Sequence, residues 1–236
     1  MKKFTMTSNK LKIIAVSAML FDHFIGGFVP ISDIYSIILR IPGRIAAPIM
    51  CFMISEGYKH THDVKKYILR LFVFSLISHI PYNLYFGLGF FQATSVMWGL
   101  FLGLLALTVI KSDKYNVIIK SGVLLLCCFL SIRANWNYLA VLWIVAFGVF
   151  SGNFKKQALS LIIIGLIQII PIYIGIGPVT ENCPHFYRFG IYLALPLLYL
   201  YRGEKGRSSV LLSKFFYYFY PVHLVVLYVI KLLWTK

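Results

Sequence analysis

Residues 12–29 read KIIAVSAMLFDHFIGGFV, a run that is apolar except for Lys12 at its edge, Ser17, and the adjacent Asp22 and His23. Its apolar positions neither alternate, as in a half-buried strand, nor keep to one helical stripe, as on a soluble amphipathic helix. A segment apolar on all sides needs roughly 20 residues to cross a hydrocarbon core as a helix, and somewhat fewer where its flanks snorkel. The preceding MKKFTMTSNKLK has the charge of a signal-peptide leader. No small-residue cleavage site follows, and Asp22 and His23 interrupt the apolar part, so the segment is expected to be retained.

Further segments of this kind fall near residues 43–58, 68–86, 95–110, 116–132, 136–150, 157–174, 187–201 and 214–234, which with the first makes nine. The chain is 60% hydrophobic over 236 residues, and its mean hydropathy is +0.82. Both lie beyond the usual range of soluble domains. A spanning barrel would show alternating segments of about ten residues, whereas these runs are continuously apolar. The expected fold is therefore all-α, a polytopic transmembrane bundle of about nine helices. No repeat, low-complexity stretch or long linker divides residues 1–236, so one domain is expected. The connection from Arg202 to Lys214, rich in Gly and Ser, reads as its longest polar loop.

The net charge of +16 raises nucleic acid as a partner, but the cations sit in short clusters between apolar runs rather than along one face. Membrane topology accounts for them and no nucleic acid is expected. With the N-terminus in the cytoplasm, 17 of the 23 Lys and Arg residues fall in inner segments. The outer ones are Arg40, Arg44, Arg133, Arg188, Lys231 and Lys236. Such alternation is the positive-inside pattern, and it places the chain in a bilayer with its N-terminus inside. Cys51, Cys127, Cys128 and Cys183 form no CxxC pair, so neither a disulfide framework nor a zinc site is expected.

An ionisable side chain at membrane depth is costly unless paired or hydrated, which makes each one a candidate functional group. Asp22 and His23 are followed by Gly26 and Gly27, each one turn beyond a polar residue and small enough to admit a neighbouring helix or ligand. Adjacent helical positions diverge by about 100°, so Asp22 is poorly placed to orient His23, whose partner must come from elsewhere. Arg44 enters the second span from its outer end, available to neutralise Asp22, bind an anion or snorkel. Glu56, twelve residues on and about 18 Å away, cannot pair with it, and Lys59 or His60 can. Ser75, His79 and Asn83 recur every four residues, a stripe expected to face the bundle interior and a cavity, with Pro81 marking a helix irregularity. Tyr220 and His223 share a face of the last span. His60-Thr61-His62, and Glu181, Cys183 and His185, read as hydrated loop residues, and no metal is expected. Neither HExxH, GxSxG, a Walker motif nor a paired intramembrane aspartate occurs, which disfavours proteolysis, other hydrolysis and ATP use.

Several of these residues fall in FDHFIG (21–26), GRIAAPIMCF (43–52), SEGYKHT (55–61), KYILRL (66–71), SHIPYNL (78–84) and FYYFYPVHL (216–224). In that order and spacing the chain resembles the TraX family of bacterial membrane proteins, named after the conjugation protein associated with N-acetylation of pilin. The likeness runs over nearly the whole chain and is densest from 43 to 84. It departs from the family pattern at His79, where Glu is frequent, and at Asn135-Trp136-Asn137, where an Asp-Tyr-Gly type stretch is usual. More distantly the arrangement is similar to the acyltransferase-3 membrane enzymes.

The resemblance implies acyl transfer in the bacterial cytoplasmic (inner) membrane, from acetyl-CoA or another acyl-CoA to an amine or hydroxyl of an envelope-associated peptide, glycan or small molecule. It implies a catalytic role for His23 as base or acyl relay, with Asp22 and Arg44 beside it. Glu56, Ser75, His79, Asn83, Tyr220 and His223 would serve the substrate or support the site, and Lys65, Lys66 and Arg70 the CoA phosphates. Two other classes are compatible with the same residues. One is a transporter or channel for a small anion or lipid, and the other is a noncatalytic assembly protein.

Overall fold

Helix starts in this chain are set by short polar side chains. Thr7 accepts from the backbone N–H of Lys10, Asp63 from that of Lys66 at 2.9 Å, and Asn116 from that of Ile119 at 2.9 Å. The computed structural model describes residues 5–29, 34–173, 185–206 and 210–234. Lys2, Lys3, Glu181, Cys183, Arg207, Lys236 and the side chain of His185 lie outside the described residues.

The helices are α1 (Ser8–Phe28), α2 (Ile34–Arg40), α3 (Ala46–His60), α4 (Val64–Phe86), α5 (Val96–Lys111), α6 (Val117–Leu130), α7 (Asn137–Val149), α8 (Phe154–Tyr173), α9 (Ala194–Tyr199) and α10 (Val210–Trp234). A 3₁₀ segment, Pro42–Ile45, joins α2 to α3, and another, His185–Leu193, leads into α9. Each of the nine apolar segments read from the sequence is matched by helix. Among the described residues there is no strand, only isolated bridges at Met6 with Tyr201 and Thr94 with Ala134.

Three details differ from the sequence reading. First, α2 is an additional helical piece, and residues 37–60 form one continuous apolar unit long enough to span a membrane. The change from α to 3₁₀ within it falls at Pro42, where Pro starts a helical turn readily but cannot continue one. Second, α4 runs through Pro81 without interruption rather than breaking there. It stops at Gly87, whose φ of 66° suits the left-handed C-cap and whose N–H reaches Asn83 and Leu84 carbonyls. Third, the polar connection after Arg202 is shorter than expected, since α10 begins at Val210 and takes in Lys214.

By length and composition, four units are membrane-span candidates: α1, residues 37–60, α8 to Pro171, and α10 from Lys214, with α5, α6 and α7 as shorter apolar helices. Helices α3, α5 and α7 pack together, α1, α4 and α10 lie along one side, α6 flanks α5 and α7, and α8 with residues 185–199 closes the other side. The main apolar core runs from Met6 to Leu227 and includes Leu11, Ile49, Leu104, Trp143 and Phe147. Outward faces are apolar too: Ile118 is 81% exposed and Leu125 70%. Such a surface is stable in lipid and a liability in water. The protein is a polytopic helical membrane protein.

Candidate functional site

His23 is buried on α1, and its partner comes from the far end of the chain. Its Nδ1 lies 2.8 Å from Nε2 of His223 on α10, with the ring planes within 6° of parallel. His223 Nδ1 lies 2.8 Å from the Phe219 carbonyl, one turn back on its own helix. A carbonyl only accepts, so His223 Nδ1–H donates to it. In a neutral pair, His223 Nε2 must then accept and His23 Nδ1–H must donate. That leaves the lone pair of His23 at Nε2, which has no hydrogen bond among the described residues. The Tyr85 hydroxyl donates to the His23 carbonyl at 2.6 Å, and Gly27 is the gap it fills, since a Cβ there would overlap that hydroxyl.

Asp22, as its helical direction requires, does not touch the His23 ring. It pairs with Arg44 in the 3₁₀ segment before α3 and lies 3.5 Å from Nε of Arg40 on α2. Gly43 is the contact that permits this, because a Cβ on it would run into the Asp22 side chain. His23, Asp22, Arg40 and Arg44 line a cavity of about 240 Å³. Asn135, Trp136 and Trp143 at α7, Gln168 of α8, and Tyr187 and Arg188 of the second 3₁₀ segment complete its wall. Asn135 Nδ2 donates to the Tyr82 hydroxyl at 3.0 Å. A histidine and three arginines thus line one cavity.

The remaining candidates do not gather there. Ser75 and Asn83 are buried, but Ser75 donates to the Phe72 carbonyl of its own helix. His79 and Asn83 hold the Phe90 carbonyl at 2.8 and 3.3 Å. Ser75 and His79 line a separate, mostly apolar groove between α4 and α6, with Trp98, Phe129 and Arg133. His79 and Asn83 are thus pinned to the Phe90 carbonyl, and none of the three residues lines the cavity that His23 borders. Tyr220 is buried with its hydroxyl 3.3 Å from the Val96 N–H, supporting the start of α5.

At the opposite end of α1 and α3 lies a second cavity, of about 350 Å³, lined by Lys12, Glu56, His60, Arg70, Tyr201 and Lys205 among others. Glu56 is answered by His60 at 3.6 Å, as the sequence suggested, and also by Tyr201. Arg70 lies over the Tyr217 ring at 5.5 Å. Of the three residues assigned to phosphates, only Arg70 reaches this cavity. Lys65 is exposed outside it, and Lys66 pairs with Asp63 at 3.2 Å. Among the described residues no His, Cys, Asp and Glu group could hold a metal. Sequence reasoning missed Arg40, Arg188 and Tyr187 in the first cavity and Lys12, Lys205 and Tyr201 in the second. In the sequence the arginines and lysines read as topology signals, and nothing in their spacing marks them as inward-facing.

Fold and site together define a polytopic membrane protein that brings Asp22, Arg40, Arg44 and Arg188 to one cationic cavity beside a histidine pair. The chain belongs to the TraX family, whose model, described as TraX protein, matches residues 7–231. It is 27% identical over 234 residues to the probable fimbrial assembly protein FimC, serogroup H1, of Dichelobacter nodosus, covering 92% of this chain and 93% of that one. No solved structure matches.

Proposed function

We propose that the protein is a membrane acyltransferase of the bacterial cytoplasmic membrane, moving an acyl group, acetyl in the first instance, from acyl-CoA to an amine or hydroxyl of an envelope-associated acceptor. The observation that carries this reading is the polarised histidine pair. His223, fixed by the Phe219 carbonyl, turns the free lone pair of His23 to Nε2 in a residue that borders the arginine-lined cavity. A neutral imidazole so held can take the proton from an acceptor O–H or N–H as that atom attacks a thioester carbonyl. The proton then passes to the departing thiolate as the C–S bond breaks, which regenerates the neutral pair. Arg44, which lines the same cavity, would stabilise the oxyanion that develops.

The second cavity suits the donor's phosphates, with Lys12, Arg70 and Lys205 on its wall. Eleven residues of α1 separate Lys12 from His23, about 16 Å of helix, a distance the thioester arm of the donor has to cover. The fimbrial-assembly name of the Dichelobacter relative agrees with an acceptor in the envelope and does not identify it.

Labelled acetyl-CoA supplied to membranes containing the protein tests the reading. We expect label in an envelope fraction, reduced about 100-fold or more in His23→Ala and strongly in Arg44→Ala. Transfer unchanged in both folded variants would refute the catalytic assignment. Solute uptake without label transfer would favour a transporter.

A further inference from the structure

The guanidinium carbons of Arg40, Arg44 and Arg188 lie 5.1, 5.4 and 5.8 Å from the centre of one ring, that of Tyr187. All three residues line the cavity that His23 borders. Asp22 is the one carboxylate among its described lining residues, so three positive charges face one negative. An arginine near a membrane end ordinarily snorkels outward to water. These three instead turn inward, and the Nε atom of each is buried without a hydrogen bond. Like charges gathered in a partly dry site repel one another unless an anion lies among them, and Asp22 offsets only one of the three.

We propose that the cavity binds a phosphoryl group, held by Arg40, Arg44 and Arg188, and that this group is part of the acyl acceptor. A carboxylate offers one charge and two oxygens. A terminal phosphate offers up to two charges and three oxygens, matching both the excess of two cations and the number of guanidinium forks. With the phosphate on this wall, an acceptor hydroxyl or amine a few bonds away lies at His23. Calling the ligand the acceptor rests on the acyl-transfer reading. The anion site itself does not.

The test therefore uses no acyl donor. The full chain in zwitterionic nanodiscs is titrated with inorganic phosphate, and with acetate and chloride at matched ionic strength, with binding read by calorimetry and thermal shift. Phosphate is expected to bind more tightly than either monoanion. Arg188→Gln, which leaves the Asp22 ion pairs in place, is expected to weaken phosphate at least tenfold, Arg188→Lys less, and Lys114→Gln in an exposed loop not at all. Equal responses to the three salts, or undiminished phosphate affinity in folded Arg188→Gln, would overturn the site. Competition by phosphatidic acid in the nanodisc assigns the phosphate to a lipid-borne acceptor, and competition by glycerol 3-phosphate alone assigns it to a soluble one. Phosphate binding in a protein that transfers no acyl group overturns the acyl-transfer reading and leaves the site standing.

Discussion

Two hundred residues separate His23 from His223, yet the second ring decides which nitrogen of the first is free to react. Replacing His223 with Phe keeps a flat ring of similar size and deletes the acceptor, so His23 loses the partner that fixes its tautomer. Replacing it with Gln restores an acceptor oxygen. We expect acyl transfer to fall about 100-fold in His223→Phe, near the lower end of what acid–base catalysis supplies, and to recover in part in His223→Gln at equal thermal stability. Equal losses in both variants would assign His223 to packing alone. The sequence made each histidine a candidate, because a titratable group in an apolar run is rare, and it separated Asp22 from His23 by helical direction. It could not pair the two rings. Local spacing says which side chains share a face of one helix and is silent on which helix meets that face.

The same limit operates on whole elements. Four-residue spacing correctly put Ser75, His79 and Asn83 on one side of α4, but that side meets the 87–92 loop and a groove beside α6 rather than the chamber of α1. Helix α2 lies before the second span as read from the sequence, which began at Gly43; Pro at the first turn lets the chain restart at once after α2 as 3₁₀ and then as α3. The start of α4 is clearer. Asp63 accepts from the Lys66 N–H, and that backbone bond, with the Lys66 ammonium beside it, holds its carboxyl below the usual carboxylate range. A carboxyl lowered on folding contributes stability that is present above its unfolded value and is lost as pH falls through its folded value. Asp63→Ala should therefore lower the melting temperature at neutral pH and flatten the acid limb of the stability curve. Both follow from thermal melts in detergent between pH 2 and 7, and an acid limb unchanged by the substitution would show that the cap contributes nothing to it.

Across the molecule, cations occupy two chambers at opposite ends: Lys12, Arg70 and Lys205 at one, Arg40, Arg44 and Arg188 at the other. Their assignment to opposite sides was legible from charge counting. Their inward orientation was not, because an arginine that neutralises a lipid interface and one that grips a ligand give the same letter at the same place in the chain. If the positive-inside rule holds here, the chamber with Lys12 faces the cytoplasm, where acyl-CoA is made, and the chamber with His23 lies toward the outer face. The two exposed loop sites Lys114 and Phe91 then lie on opposite sides. With Cys183 replaced by Ser and the cysteines at 51, 127 and 128 retained as the unlabelled background, a cysteine introduced at position 91 should react with a membrane-impermeant maleimide in intact spheroplasts, above the level of that background protein. One at position 114 should react only after the membrane is opened. The reverse pattern would place the arginine chamber inside, and the donor and acceptor chambers would exchange roles. Labelling of both sites in intact spheroplasts would mean that the span count between residues 91 and 114 is wrong, although α5 alone connects them.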